Sequence, residues 1–221
     1  MNIPHPPALF MIKTKIIEKN DTAMLEVFRD KYASLAHNQV DLEYFKNSKV
    51  RIFYTDSEDN IAAGYCICSG PDYRTFLPLP PSTLEELSSK HSFKKKPPHE
   101  ITCLWIEEKH RKKFWVFYFF LVLYVDLLRS PRGPLIFGTH GKSINNYFLL
   151  AFPKLIFNKR LFIPTKGEEC DFLIRKGSKF HFLKGFIMFI SIRTLFGNRT
   201  LYRFRLWLDA RDKVNRDRLR N

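Results

Sequence analysis

A chain of 221 residues, 45% hydrophobic and 27% charged, carries enough apolar side chain for one packed domain with an appendage, or for two small domains. That content excludes a disordered chain, and the frequent charges exclude a polytopic membrane protein. With 37 Lys and Arg against 22 Asp and Glu, the net charge of +15 implies a polyanionic partner: nucleic acid, an anionic membrane surface or an acidic protein.

The helical pattern starts at Asp21, where Asp21 or Thr22 can cap a helix carrying Leu25, Phe28, Tyr32 and Leu35 at three- and four-residue spacing. Asp41 to Phe45 reads as a short polar-aromatic turn. Val50–Tyr54 and Ile61–Cys68 read as strands, and the Asp56-Ser57-Glu58-Asp59-Asn60 turn joins them into a hairpin. Gly70 to Pro81, with four prolines, reads as a loop. Ser82 and Glu85 have capping-box spacing for a short helix through Leu87, and Lys94-Lys95-Lys96-Pro97-Pro98 forms a basic stop. Ile101–Ile106, apolar except for Thr102, has the composition of a central strand covered on both faces. Lys112 to Leu128 follows as an apolar helix, Pro131 to Pro134 as a turn, Leu135–Gly138 as a fourth strand and Ser143–Phe152 as a helix. Residues 155–178 read as short strands and turns.

From Lys179 the composition shifts to eleven Lys and Arg against three Asp. Phe182 to Phe196 is rich in Phe, Ile and Leu, and Leu201, Phe204, Trp207 and Leu208 form one helical stripe among arginines. The expected division is therefore 1–178 and a basic amphipathic extension, 179–221. That extension suits either an interfacial helix or a helical pair folded back on the domain. Helices alternating with strands give an α/β or α+β class, a mixed sheet with helices on both faces.

Seven of the 22 Phe sit in two dense clusters, Phe114 to Phe120 and Phe182 to Phe189, which suits a core or lipid-facing surface better than separated base-stacking platforms. The longest apolar run, Phe114 to Val125, rises about 18 Å as a helix, too short for a bilayer core of about 30 Å. The N-terminus lacks the pattern of a secretory signal, so the cytoplasm is the expected location. Cys66 and Cys68 lie in one strand pattern and point to one face, with no second Cys or His pair at zinc spacing. The four cysteines read as small buried thiols. Cys103 lacks a paired His in the sequence and does not read as a covalent nucleophile.

The most informative junction is the buried strand ending at Ile106, followed by Glu107-Glu108-Lys109-His110-Arg111-Lys112-Lys113 and the apolar helix. Cations at a helix N-terminus oppose its dipole. Placing His110, Arg111, Lys112 and Lys113 there makes sense around a bound phosphate, or else as a solvated loop partly neutralised by the two glutamates.

Strand, basic turn, helix, strand and then Asn145-Asn146-Tyr147 in a helix resemble the Gcn5-related N-acetyltransferase (GNAT) family. Its pyrophosphate turn carries two glycines, and Arg111 is followed instead by Lys112-Lys113-Phe114-Trp115-Val116. Missing glycines are a mark of one branch, the acyl-homoserine-lactone synthases and long-chain N-acyl amino acid synthases. Phe28-Arg29-Asp30-Lys31-Tyr32, Asp41-Leu42-Glu43-Tyr44-Phe45, Gly64-Tyr65, the Leu77-Pro78-Leu79-Pro80 loop and Glu100-Ile101-Thr102-Cys103 resemble that branch in order and spacing, over about residues 20–165. The last of these departs from the branch's Glu-x-Ser-Arg by Thr for Ser and Cys for Arg.

The resemblance implies a GNAT-like mixed sheet and an N-acyltransferase moving a long acyl group to an amine such as an amino acid. The donor would be an acyl carrier protein or acyl-CoA thioester, with no permanently bound cofactor. It implies Glu100 as base, Thr102 as a hydrogen-bond donor near the reacting carbonyl and Tyr147 as acid for the leaving thiol. His110, Arg111, Lys112 and Lys113 would face the phosphate of the phosphopantetheine arm. Asp41 and Glu43 would hold the amine, and Phe117 would line the acyl tunnel. An acidic carrier protein would dock on the basic surface, and the tail would place the enzyme peripherally on the inner face of a membrane. Two other readings stand beside it: a non-enzymatic nucleic-acid binder, for which no binding signature stands out, and a membrane-bound protein with a degenerate transferase fold.

Overall fold

The structure, a computed structural model, describes residues 12–111, 113–141, 144–145, 148–164 and 167–195, with Arg203, Ala210 and Asp212. Its centre is a seven-stranded mixed sheet in the order β1-β2-β3-β4-β5-β7-β6. The strands are β1 (Lys13–Ile17), β2 (Ser48–Tyr54), β3 (Ile61–Cys68), β4 (His99–Ile106), β5 (Leu135–Thr139), β6 (Lys154–Ile163) and β7 (Glu168–Gly177). The helices are α1 (Thr22–Ala36), α2 (Leu42–Lys46), α3 (Pro81–Lys90), α4 (Lys113–Arg129) and α5 (Lys179–Leu195). The expected mixed sheet flanked by helices is what forms, with the apolar strand β4 at its middle.

Local chemistry sets several boundaries. The Asp21 side chain accepts from the Met24 backbone N–H at 3.1 Å, which starts α1 where the cap residue predicts. The capping box at Ser82 does not form. Pro81 takes the first helical position, so α3 begins two residues earlier and Ser82 lies inside it. Residues 155–178 are not short strands but one long hairpin, two ten-residue strands whose register runs from Lys154↔Lys176 to Ile163↔Glu168.

Three apolar clusters position the elements. On one face of the sheet α1 and α2 cover β2 to β4 through Phe28, Tyr44 and Phe45. On the same face α3 and the segment before it cover β5 to β7 through Phe76, Leu87 and Phe93. On the opposite face α4 packs Trp115, Phe119, Leu123 and Leu127 against β3 to β5. Helix α5 joins this third cluster: Phe182 is buried in it, and Phe186 stacks on Phe117 at 5.6 Å. The composition break at Lys179 is therefore not a packing break, because the aromatic side of α5 belongs to the same core as α4.

Two buried ionic networks pin this arrangement. At the far end of α4, Asp126 is 1% exposed and bonds Lys49, Arg51 and Tyr65 of β2 and β3. On β7, the fully buried Arg175 donates to Asn145 Oδ1 at 2.6 Å and pairs with Asp212. The stripe of Leu201, Phe204, Trp207 and Leu208 lies outside the described residues. No helix among the described residues is long and apolar enough to cross a membrane.

Candidate active site

Strands β4 and β5 are parallel neighbours, but their ladder holds only at His99↔Leu135 and Glu100↔Ile136. Beyond Glu100 they part. Strand β4 stays with β3, while β5 follows β7 through Thr139. A cavity of about 740 Å³ fills the opening, a size that takes a ligand well beyond a single small metabolite. Its apolar walls are Val116, Phe119 and Phe120 of α4, Phe137 of β5, Phe148, and Phe189 of α5. Its polar end holds Arg74, Thr75, Glu100, Thr102 and Cys103.

Glu100 sits at the point of divergence, 1% exposed. Its Oε1 accepts from the Thr75 backbone N–H at 2.7 Å and the Thr75 hydroxyl at 2.5 Å. Its Oε2 accepts from the Tyr44 hydroxyl and the Arg74 backbone N–H, both at 3.0 Å. Burial pushes this carboxyl above the usual range, and the bonds from Thr75, the Arg74 charge and Tyr44 pull it only part of the way back. Glu100 thereby fastens the short 3-10 turn Arg74–Phe76 over the opening. Gly138 of β5 permits that approach, since a Cβ there would meet Thr75 Oγ1 at 2.7 Å and Cγ2 at 2.9 Å.

Past Glu100, strand β4 bulges. Thr102 opposes Cys66 and Trp105 opposes Gly64, so Cys103 and Leu104 together face the single residue Tyr65. Cys103 has φ 50°, a left-handed conformation in which glycine is the default. The bulge brings Thr102 and Cys103 under Arg74, whose Nη1 donates to Thr102 Oγ1 at 3.4 Å and to Cys103 Sγ at 3.2 Å. Arg74 also donates to Asn38 Oδ1 at 3.3 Å and lies over the Tyr44 ring at 5.7 Å. Burial pushes the Cys103 thiol up, but a hydrogen bond from Cys66, the Arg74 charge and Thr102 outweigh it and bring the thiol down to about 7. Burial drives the Cys66 thiol the other way, well above its ordinary value.

Of the residues singled out from sequence, Glu100, Thr102 and Arg111 line one cavity. Arg111 folds back at its mouth, donating from Nε to the Ile106 carbonyl at 2.9 Å. His110 packs its ring against Trp115 instead, with centroids 4.6 Å apart, and is not a lining residue. Lys113 opens α4. Lys112 and Tyr147 lie outside the described residues. Asp41 and Glu43 do not reach the cavity. Asp41 precedes α2, Glu43 bonds Lys46 at 2.7 Å, and both are exposed because α2 turns Tyr44 and Phe45 inward. Phe117 also faces away, 39% exposed, and its neighbours Val116, Phe119 and Phe120 form the wall. Arg74 and Thr75 are not singled out by sequence patterning, since they fall in the proline-rich loop. A charged residue amid four prolines was the signal that such a loop is held in place. Among the described residues no cluster of His, Cys, Asp and Glu could hold a metal ion.

No protein-family model and no curated protein matches this sequence. Solved structures do match the fold. FeeM, an N-acyl amino acid synthase from uncultured soil microbes, superposes with a TM-score of 0.57 at 12% identity, over 79% of this chain and 94% of that one. Arabidopsis thaliana NAA60 in complex with acetyl-CoA gives 0.52 at 13% identity, over 76% and 98%. A chain of the NatC complex bound to Gag peptide and CoA gives 0.50 at 10%, over 76% and 98%. The fold is that of the GNAT acyltransferases, as the sequence resemblance implied.

Proposed function

We propose that the chain is an N-acyltransferase that takes an acyl group from a phosphopantetheine thioester and delivers it to a primary amine. The observation that carries this reading is the opening between β4 and β5, with a bulged strand on one side and a cavity of about 740 Å³ running through it. Past Glu100 the β5-facing edge of β4 has no ladder partner among the described residues. Its backbone amides are therefore free to hold the amides of a pantetheine arm and the thioester oxygen, where negative charge develops.

The walls suggest what is carried. A chamber lined by Val116, Phe119, Phe120, Phe137, Phe148 and Phe189 suits a long acyl chain better than an acetyl group. A void of about 40 Å³ shares Phe120, Phe148 and Phe189 with it and extends toward Phe182. At the polar end, Thr75 and Glu100 suit a proton relay. The attacking amine gives its proton to the Thr75 hydroxyl, which passes it to Glu100 2.5 Å away. Arg74 beside them favours an acceptor bearing a carboxylate, as an amino acid does. Arg111 at the mouth suits the phosphate of the arm, and the excess of +15 suits an acidic carrier protein as its bearer. FeeM, whose fold this chain shares, is an N-acyl amino acid synthase, which supports the same acceptor class.

The exposed apolar stripe Phe114, Leu121 and Leu128 of α4, with Ile187 exposed on α5, supports contact with a membrane surface, where a lipidic product would partition. The test is turnover: the purified chain is incubated with acyl-CoA thioesters of two to eighteen carbons, or the same chains on an acyl carrier protein, plus the twenty amino acids. Thiol release and mass spectrometry of N-acyl products follow the reaction. Product that increases with chain length supports the reading, and no product from any donor overturns it.

A further inference from the structure

We propose that Cys103 is an acyl-accepting nucleophile, so that transfer runs through an acyl-cysteine intermediate. This rests on the transferase reading and goes beyond it, because direct attack by the amine needs no such residue. Four observations bear on this stretch of β4. Cys103 lines the cavity beside Thr102 at the place where β4 leaves β5. Its sulfur accepts from the guanidinium of Arg74 at 3.2 Å, the kind of cationic neighbour that stabilises a thiolate. Its φ of 50° puts a side chain at a bulge position that glycine would occupy without strain, and strained backbone kept at a cavity wall points to the side chain as its purpose. Two residues on, Trp105 lines the same cavity, and its buried indole N–H has no acceptor among the described residues. An oxygen of a bound acyl thioester would complete it.

The chemistry balances without an oxidant or metal. The Cys103 thiolate adds to the thioester carbonyl, a new C–S bond forms, and the bond to the pantetheine sulfur breaks. The departing thiolate takes up a proton equal to the one Cys103 released. The free amine then attacks the acyl-cysteine carbonyl, the C–N bond forms, and the Cys103 sulfur leaves as thiolate. One amine proton goes through Thr75 to Glu100. One thioester replaces another in the first half, so that half is close to isoenergetic. The groups facing the sulfur are Arg74 from the 3-10 turn, Thr102 and Glu100 on β4, Cys66 on β3, Tyr32 on α1 and Tyr44 on α2. Arg74 is the cation among them.

The experiment is to mix the full chain with decanoyl-CoA and no acceptor, and to follow its intact mass and its peptide map. The expected result is one decanoyl group on Cys103, discharged when amino acids are added. In Cys103→Gly, which relaxes the backbone and so keeps the fold, the adduct disappears and product formation falls at least 100-fold. Cys170→Ser, on β7, still forms the adduct. In Arg74→Gln the midpoint for adduct formation moves up from near pH 7 toward the free-thiol range of about 8.5. If Cys103→Gly forms product at the wild-type rate, or the wild-type adduct is not discharged by amines, the intermediate is refuted and the transferase reading stands. If the wild type gives neither adduct nor product, both fall.

Discussion

Replacing Asp126 by Ala removes the one carboxylate that ties the C-terminal end of α4 to the sheet. Its Oδ1 accepts from Lys49 Nζ and Arg51 Nη2, both at 2.8 Å, and its Oδ2 from Arg51 Nε at 2.6 Å and the Tyr65 hydroxyl at 2.7 Å. Truncation leaves the guanidinium of Arg51, 8% exposed, and the fully buried Tyr65 hydroxyl without that acceptor. Removing one partner of a buried ion pair costs about 3–5 kcal/mol, because the other charge stays behind. For a chain of this size that lowers the melting temperature by roughly 6–20 °C. Urea unfolding of both proteins at pH 7 measures it, and a difference under about 1 kcal/mol refutes the reasoning. Acid supplies an internal check. Burial opposes the charged form of Asp126, but the bonds from Arg51, Lys49 and Tyr65 outweigh it and hold the carboxyl below its ordinary 3.8. The folded state thus binds fewer protons here than the unfolded one. The stabilisation is complete above about pH 4 and is lost as pH falls through the lower folded value, so the gap between wild type and Asp126→Ala closes in that range.

Glu100→Gln should lower kcat by about 100-fold or more with KM for the donor little changed, since it removes the proton acceptor and not the acyl chamber. Because burial raises the Glu100 pKa, the wild-type rate should climb with pH through a value above the ordinary 4.5, and the Gln variant should lack that limb. Val116→Trp should shorten the longest acyl chain accepted while sparing acetyl transfer, read as kcat/KM across donors of rising length. Arg111→Glu should raise the donor KM about tenfold with kcat retained, and salt should shrink the difference. Asp212→Ala should destabilise the chain by about 3–5 kcal/mol in denaturant titrations by depriving the buried Arg175 guanidinium of the Asp212 carboxylate.

Legibility in the sequence followed the range of the interactions. Periodicity reports burial within one element, and it located α1, β3, β4 and α4 to within two residues of their observed ends. It failed for Lys154–Ile163 and Glu168–Gly177, where exposed charges such as Lys159, Arg160 and Asp171 break the apolar alternation of a hairpin beyond the edge of the main core. Of the site, Glu100 and Thr102 were visible because the strand that bears them was visible. Arg74 and Thr75 were not, since their meaning comes from contacts 25 to 29 residues away with Glu100 and Cys103. Phe117 was misplaced by a helix rotation. All of Phe114 to Phe120 is apolar or aromatic, so composition alone could not say which side of α4 meets the cavity. Cys103 has no histidine partner legible in the sequence, and the cation that faces its sulfur, Arg74, comes from a distant turn.

The pairing of Arg175 with Asp212 has a bearing on synthesis. The ribosome releases Arg175 and the strand that carries it 37 residues before its counter-charge exists. At elongation speeds of about 5–20 residues per second, that interval is roughly 2–7 s, long against the folding of most sheets. During it the half-made domain must keep a guanidinium wet or leave β7 undocked. Final burial of Arg175 on β7 is thereby timed by translation through position 212, and a nascent chain arrested between these two positions would hold that strand without its partner carboxylate.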